Sequence, residues 1–224
     1  MIIEEAVQRL ITFIKSLPDF RVYEQHEIDT YDHMGAAIAD AVLQAQRDYD
    51  SVVAPRTKRI LRRWPDAKTV SSVLECLKTV PPSDFLDWSD NPNSGSYLAH
   101  RVRRFVEILT LLKNNGVETT SDLKQWLTNG KNSERLSAVY GVGAKTTEYV
   151  KILVGLQTAA PDTRLRSFLA QAGIPSLGDA VDREVINRTA DSLSIPRACL
   201  DHSMWQYAGS HKTGVPAFAC ARRG

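Results

Sequence analysis

Two residue types with spare chemistry stand out in the chain. The stretch LSAVYGVGAKTTEYV, residues 136–150, sets Gly141 and Gly143 just ahead of Lys145, and APDTRLRSFLAQAG follows with Asp162. A deprotonated lysine amine can attack an electrophilic carbon and pass through a Schiff base, while a nearby carboxylate stabilises developing positive charge and takes a proton. Each residue also has a plainer use. A glycine turn points backbone N–H groups outward at a positive helix end, which suits a phosphate, and Lys145 could simply be a further phosphate contact. Asp162 before Thr-Arg-Leu is an ordinary helix N-cap. Chemistry would further require the amine to fall below its usual pKa of about 10.4 by desolvation and by the helix N-terminus, a shift that Asp162 opposes.

The elements that must hold these residues are helical. Met34, Ala37, Ile38, Ala41, Val42 and Ala45 recur at three-and-four spacing, as do Val102, Phe105, Val106, Leu109 and Leu112. The second helix of the hairpin is expected over Thr146–Val154. Breaks at Pro18, Pro65, Pro81-Pro82, Pro92, Gly116, Gly130, Gly173 to Pro175 and Pro196 cut the chain into about ten helices, and no convincing alternation marks a strand. The fold class is all-α. VPPSDFLDWSDNPNSGS is read as a surface loop.

Composition narrows the class. At 43% hydrophobic and 24% charged, the 224 residues suffice for one large core or two modest ones. No run of eighteen apolar residues occurs and the N-terminal MIIEEAVQRLITFIKSL lacks a cleavage-like site, so neither a membrane span nor a signal peptide is expected and the default location is cytoplasmic. Cys76, Cys199 and Cys220 are too few and scattered for zinc or a disulfide framework, and are read as reduced and structural. The net charge of +2 hides a gradient: residues 1–50 carry ten acids and four bases, so the remainder is strongly basic and could meet a polyanion. Arg56, Arg59 and Arg63 form one basic stripe at helical spacing, and Arg101, Arg103 and Arg104 a second.

Gly141-Val142-Gly143 after an apolar residue and before Lys145 and Thr146 resembles the helix-hairpin-helix motif of DNA-binding proteins. With Asp162 downstream, the chain resembles the helix-hairpin-helix base-excision DNA glycosylases, the superfamily of endonuclease III, the adenine glycosylase and the 8-oxoguanine glycosylase. HMGAAIADAVLQAQRDYDSVVAPRTKRIL is similar to the family's first barrel helix, which aligns Ala45-Gln46 with its Ala-Gln ending, and LDHSMWQYAGS to the helix before its iron–sulfur loop. The order of parts agrees from about residue 27 to 210. Pro161 departs from the aliphatic residue usual before the aspartate.

The resemblance implies a six-helix barrel over residues 27–157 carrying the hairpin at 136–154, and a second helical lobe from 1–26 and 158–224 that bears the aspartate. It implies a monomer that takes double-stranded DNA with a damaged base, nucleoid-associated if bacterial. Lys145 would be the nucleophile and Asp162 the electrostatic partner; Gly141, Val142, Gly143 and Arg164 would contact DNA, and Gln46 would fill the gap left by an extruded base. His202 and Trp205, with Tyr207, could line the base pocket, although core packing also suits Trp205. Cluster-bearing members place four cysteines where HKTGVPAFACARRG offers only Cys220, so no cluster, metal or other cofactor is expected. A glycosylase that uses water, and a non-catalytic DNA-binding protein, are the alternatives. The lesion is not readable from any residue; an oxidised base is implied by the lysine alone.

Overall fold

The computed structural model describes residues 2–44, 47–87 and 95–210, with the side chains of 95–99 outside that description. Twelve α-helices run in order through these residues, and no strand occurs among them: α1 (Ile3–Ser16), α2 (Met34–Leu43), α3 (Ala54–Arg63), α4 (Val70–Cys76), α5 (Pro82–Phe85), α6 (Gly95–Asn114), α7 (Thr120–Leu127), α8 (Gly130–Ser137), α9 (Ala144–Leu153), α10 (Thr163–Gln171), α11 (Asp179–Ser192) and α12 (Arg197–Ser210). Capping boxes start α4 (Thr69 with Ser72) and α7 (Thr119 with Asp122), which satisfies first-turn amides that nothing else reaches.

The helices bury two main apolar cores. One joins Met34, Ile38 and Val42 of α2 to Phe105, Leu109 and Leu112 of α6 and to Leu136, Val142 and Val150 around the hairpin. The other joins Leu10 of α1 to Phe168 and Leu169 of α10, Ile186 of α11, and Leu200 and Met204 of α12. A small third cluster of Ile28, Ile152, Ala160, Ala198 and Cys199 includes residues from both sides, and Tyr149 packs on it as well as on the first core. Chain-distant segments thus meet at the inner end of α9.

The helix α2 departs from the amphipathic pattern. Every residue from Met34 to Leu43 is buried, Asp40 included, because α3, α4, α6 and α9 surround it. His33 caps its start from within the core: Nδ1 accepts from Ala36 N at 3.0 Å, so Nε2 carries the proton facing the Trp64 carbonyl at 2.8 Å.

Several expectations need correcting. The segment read as one surface loop from residue 80 contains the helical turn α5, with Phe85 and Leu86 fully buried; Phe85 stacks between Trp64 and Phe105 at centroid distances of 4.5 and 5.6 Å. Apolar side chains there outweigh the prolines in setting its position. The arginine stripes are largely used by the fold itself. Arg56 donates to the carbonyls of Asp87 and Val52, Arg59 pairs with the Asp87 carboxylate, and Arg63 lies 4.7 Å from the Trp64 ring centroid. Arg101 is buried and donates to the Leu43 carbonyl. Tyr207 faces the second core, packing on Phe20 and Phe168.

Phe168 is the centre of an aromatic group with Phe13, Phe20 and Tyr207 at centroid distances of 5.2, 5.8 and 5.7 Å. Phe168→Ala is expected to remove about 3–5 kcal/mol of stability, since the three remaining rings cannot close the cavity. Urea unfolding followed by circular dichroism should show a lower midpoint with an unchanged slope.

Candidate active site

The helices α8 and α9 form the hairpin. Val142 N donates to the Val139 carbonyl at 2.9 Å, and Gly141 sits at φ +70°, a conformation that side-chain-bearing residues rarely adopt, so the turn needs its glycine. Ser137 and Thr147 hydroxyls bond across the two helices at 2.8 Å. Val142 is buried in the first core, which leaves only its backbone for a ligand. Gly143 is the N-cap of α9, with no side chain capping the first turn, and the helix starts at Ala144, two residues earlier than the Thr146 expected from the pattern.

Lys145 therefore lies in the first turn, one turn ahead of Tyr149. Its amine donates to Gln44 Oε1 at 2.7 Å and stands 4.9 Å from the Tyr149 ring centroid. Beneath it lies the buried carboxylate of Asp40, which accepts from Tyr31 at 2.8 Å and Tyr149 at 3.0 Å, while the Tyr49 hydroxyl is shared between Asp29 at 2.7 Å and Asp40 at 3.2 Å. Burial pushes Asp40 up to about 6, although the three phenols favour its ionised form. Burial and the Asp40 charge together hold all three phenols above the usual tyrosine range.

Asp162 caps α10, accepting from Arg164 N at 2.9 Å and Leu165 N at 3.0 Å through one oxygen. Pro161 is buried beside it and leaves this cap intact. Asp201 of α12 holds the preceding turn by accepting from Ala160 N at 2.8 Å. Burial raises Asp201 to about 7, with the Asp162 charge adding to the rise and Lys145 opposing it. No hydrogen bond or ion pair joins Lys145 to Asp162 among the described residues; they interact through space. Burial lowers the Lys145 pKa, and this outweighs the raising pull of Asp162, Asp201 and Asp40.

Of the other expected residues, three come together. Arg164 lies 4.1 Å from the Trp205 ring centroid, and Trp205 stacks on His202 at 6.3 Å while also packing on the second core. His202 is edge-on to Tyr23 at 4.8 Å, and burial holds its pKa down. Gln46 and Cys220 lie outside the described residues. Asp40, Gln44, Tyr149 and Asp201 were missed. Asp40 had a visible signal as the one charge in MGAAIADAVL, with Gln44 one turn on, and Tyr149 follows Lys145 by one turn; nothing in LDHSMWQ marks Asp201.

A family model described as Domain of unknown function (DUF8548) matches residues 17–209. No curated protein matches the sequence. A solved structure described as a trapped endonuclease III–DNA covalent intermediate, an estranged-adenine complex, matches with a TM-score of 0.57 and 18% identity, over 97% of this chain and 91% of that one. The chain therefore has the all-helical fold of endonuclease III. An iron–sulfur centre does not fit its residues: Cys76 belongs to α4, Cys199 is buried in α12, and the sequence holds only one further cysteine. Among the described residues no helix is long and apolar enough to cross a membrane.

The raised pKa of Asp40 makes a signed prediction. Its protonated form is favoured by folding, so its contribution to stability is complete below the ordinary 3.8 and is lost as pH rises through about 6. The stability of the native protein relative to Asp40→Asn should therefore fall by about 2 kcal/mol between pH near 4 and pH near 7. Urea titrations of both proteins at the two pH values measure it, and a constant difference would contradict the burial of the carboxylate.

Proposed function

Since the chain belongs to the family described as Domain of unknown function (DUF8548) and has the endonuclease III fold, we propose that it is a base-excision DNA glycosylase with AP lyase activity. The observation that carries this reading is the Lys145 amine, partly buried, lowered in pKa by that burial, and placed in the field of Asp162, Asp201 and Asp40. Structural lysines on a solvated helix face have no such surroundings.

In this reading the barrel of residues 27–157 and the lobe of 1–26 with 158–224 flank duplex DNA, and a damaged base is extruded between them. Lys145 as the free amine attacks C1′ while the glycosidic bond breaks, and the base leaves with the bonding electrons and picks up a proton. Asp162 stabilises the positive charge that builds on the sugar, and the attacking nitrogen gives up a proton to a carboxylate. Opening of the sugar ring yields the Schiff base, from which elimination breaks the bond to the 3′ phosphate. Gly141, Gly143 and the backbone of Val142 contact phosphate, Arg164 does so from the first turn of α10, Gln46 fills the vacated stack, and His202 with Trp205 borders the base. By resemblance the lesion is an oxidised base. A second reading, hydrolysis by water with Lys145 as a contact only, is favoured by the bond that ties the amine to Gln44.

Borohydride reduction on a panel of duplexes, each with one lesion, separates the readings. A covalent protein–DNA adduct is expected with the right lesion, and Lys145→Gln should abolish it while retaining most DNA affinity, because one contact is a fraction of the interface. Asp162→Asn keeps a competent N-cap, so it should fold and bind yet lose excision by about a hundredfold or more. Base release without any adduct assigns the reaction to water, and binding without release from any lesion removes the enzymatic reading.

A further inference from the structure

The helix α6 brings two adjacent arginines to the hairpin, and the fold treats them differently. Arg103 is exposed, bonded to Glu107 at 2.6 Å, with its guanidinium 4.6 Å from the centroid of the exposed Tyr140 ring. Arg104 is partly buried and has no carboxylate partner among the described residues; its Nε is buried and makes no hydrogen bond. Its guanidinium lies against the turn at Gly141, so close that a Cβ built there would come within 2.8 Å of both Nε and Cζ. Gly141 thus serves the positive φ of the turn and also makes room for a cation.

This arrangement has no evident return within the folded chain. An arginine cannot shed its proton as a buried lysine can, so its partly desolvated charge stays, and burial works against that charge. A methionine would fill the same space at lower electrostatic cost. Beside it, the first turn of α9 has no side-chain cap, and the position of a Cβ on Gly143 has nothing within 4 Å, so an anion can approach the turn from that side.

We propose that Arg104 is a phosphodiester-binding residue, set against the α-carbon of Gly141 so that its guanidinium meets a backbone phosphate of duplex DNA at the hairpin. The assignment rests on the DNA-binding reading above and adds to it a residue of α6 outside the hairpin sequence. A guanidinium presents fixed, paired donors that match two phosphate oxygens, and stacking on the turn removes the rotamer freedom that a surface arginine would lose on binding. It also explains why Gly141, whose Cβ would strike Arg104, and Gly143, whose Cβ would strike nothing, are not equivalent glycines.

Arg104→Met tests this against Lys15→Met, which removes the same charge from an exposed site on α1. Binding to an undamaged duplex, followed by fluorescence anisotropy near 0.1 M salt, should weaken about five- to tenfold in Arg104→Met, and the slope of log affinity against log salt should fall by about one. Lys15→Met should leave both nearly unchanged. Gly141→Ala displaces the guanidinium but also strains the turn at φ +70°, so it should weaken binding at least as much as Arg104→Met. If Arg104→Met fails to fold, Arg104→Gln gives the same readout. Native affinity and slope in the folded variant overturn the assignment and leave the DNA reading standing, whereas a native protein that binds no duplex overturns both. Inorganic phosphate titrated at constant ionic strength completes the test: a site lost with Arg104 while DNA affinity is unchanged would also overturn it.

Discussion

A carboxylate on a helix with no exposed face has to be satisfied by other elements, and Asp40 imposes that condition here. Its acceptors are filled by Tyr31 from the loop before α2 and Tyr149 from α9, and Tyr49 from the short π-helical turn (Tyr49–Val53) after it is shared with Asp29. Leaving the Tyr31 or Tyr149 bond unmade would strand a buried polar group, so these bonds fix the flanking segments around one point. The loop is held a second time where Tyr31 N donates to the Leu153 carbonyl at 3.0 Å. Because Tyr149 follows Lys145 by one turn, the same network sets where the amine stands relative to α2.

The electrostatics follow from that placement. Lys145 loses water at the meeting of α2 and α9, which favours its neutral amine, while Asp162 at the start of α10, Asp201 on α12 and Asp40 below favour the ammonium. Desolvation wins at Lys145, and burial likewise raises Asp201 to about 7 against the pull of Lys145, so it holds a proton more readily than a surface aspartate. Burial thus brings the amine and the carboxylate closer together in proton affinity than an exposed lysine and an exposed aspartate would be.

The fold class was legible because helix α6 has one apolar face, and because Pro and Gly mark most helix ends. The hairpin and the N-cap at Asp162 were legible for the same reason: both are local, written in consecutive residues. What escaped the sequence was non-local. Asp201 reaches the site only because α12 packs on α10, and no spacing within LDHSMWQ encodes that contact. Phe85 and Leu86 were hidden by the prolines and polar residues around them, although their burial, not the turn residues, decides the path of that segment. Among the arginines at helical spacing, Arg56 and Arg101 fold back on carbonyls, which spacing alone cannot tell from a solvated face.

Unsatisfied atoms show where folding and function pull apart. Native proteins leave few buried polar atoms without partners, and among the described residues such side-chain atoms are Gln44 Nε2, Arg104 Nε, Asn187 Oδ1 and Thr189 Oγ1. The first two flank the hairpin. The Gln44 case has a direct cause: the amine of Lys145 requires the amide oxygen, which turns the amide nitrogen toward a region with no acceptor. Deprotonation of Lys145 would remove that requirement, since a neutral amine can accept from the same amide nitrogen after a flip. The orientation of Gln44 is thus coupled to the protonation state of Lys145: the bond to Oε1 favours the ammonium form and leaves the amide nitrogen without an acceptor. Burial is what lowers the Lys145 pKa, and the Gln44 carbonyl holds the proton that burial loosens.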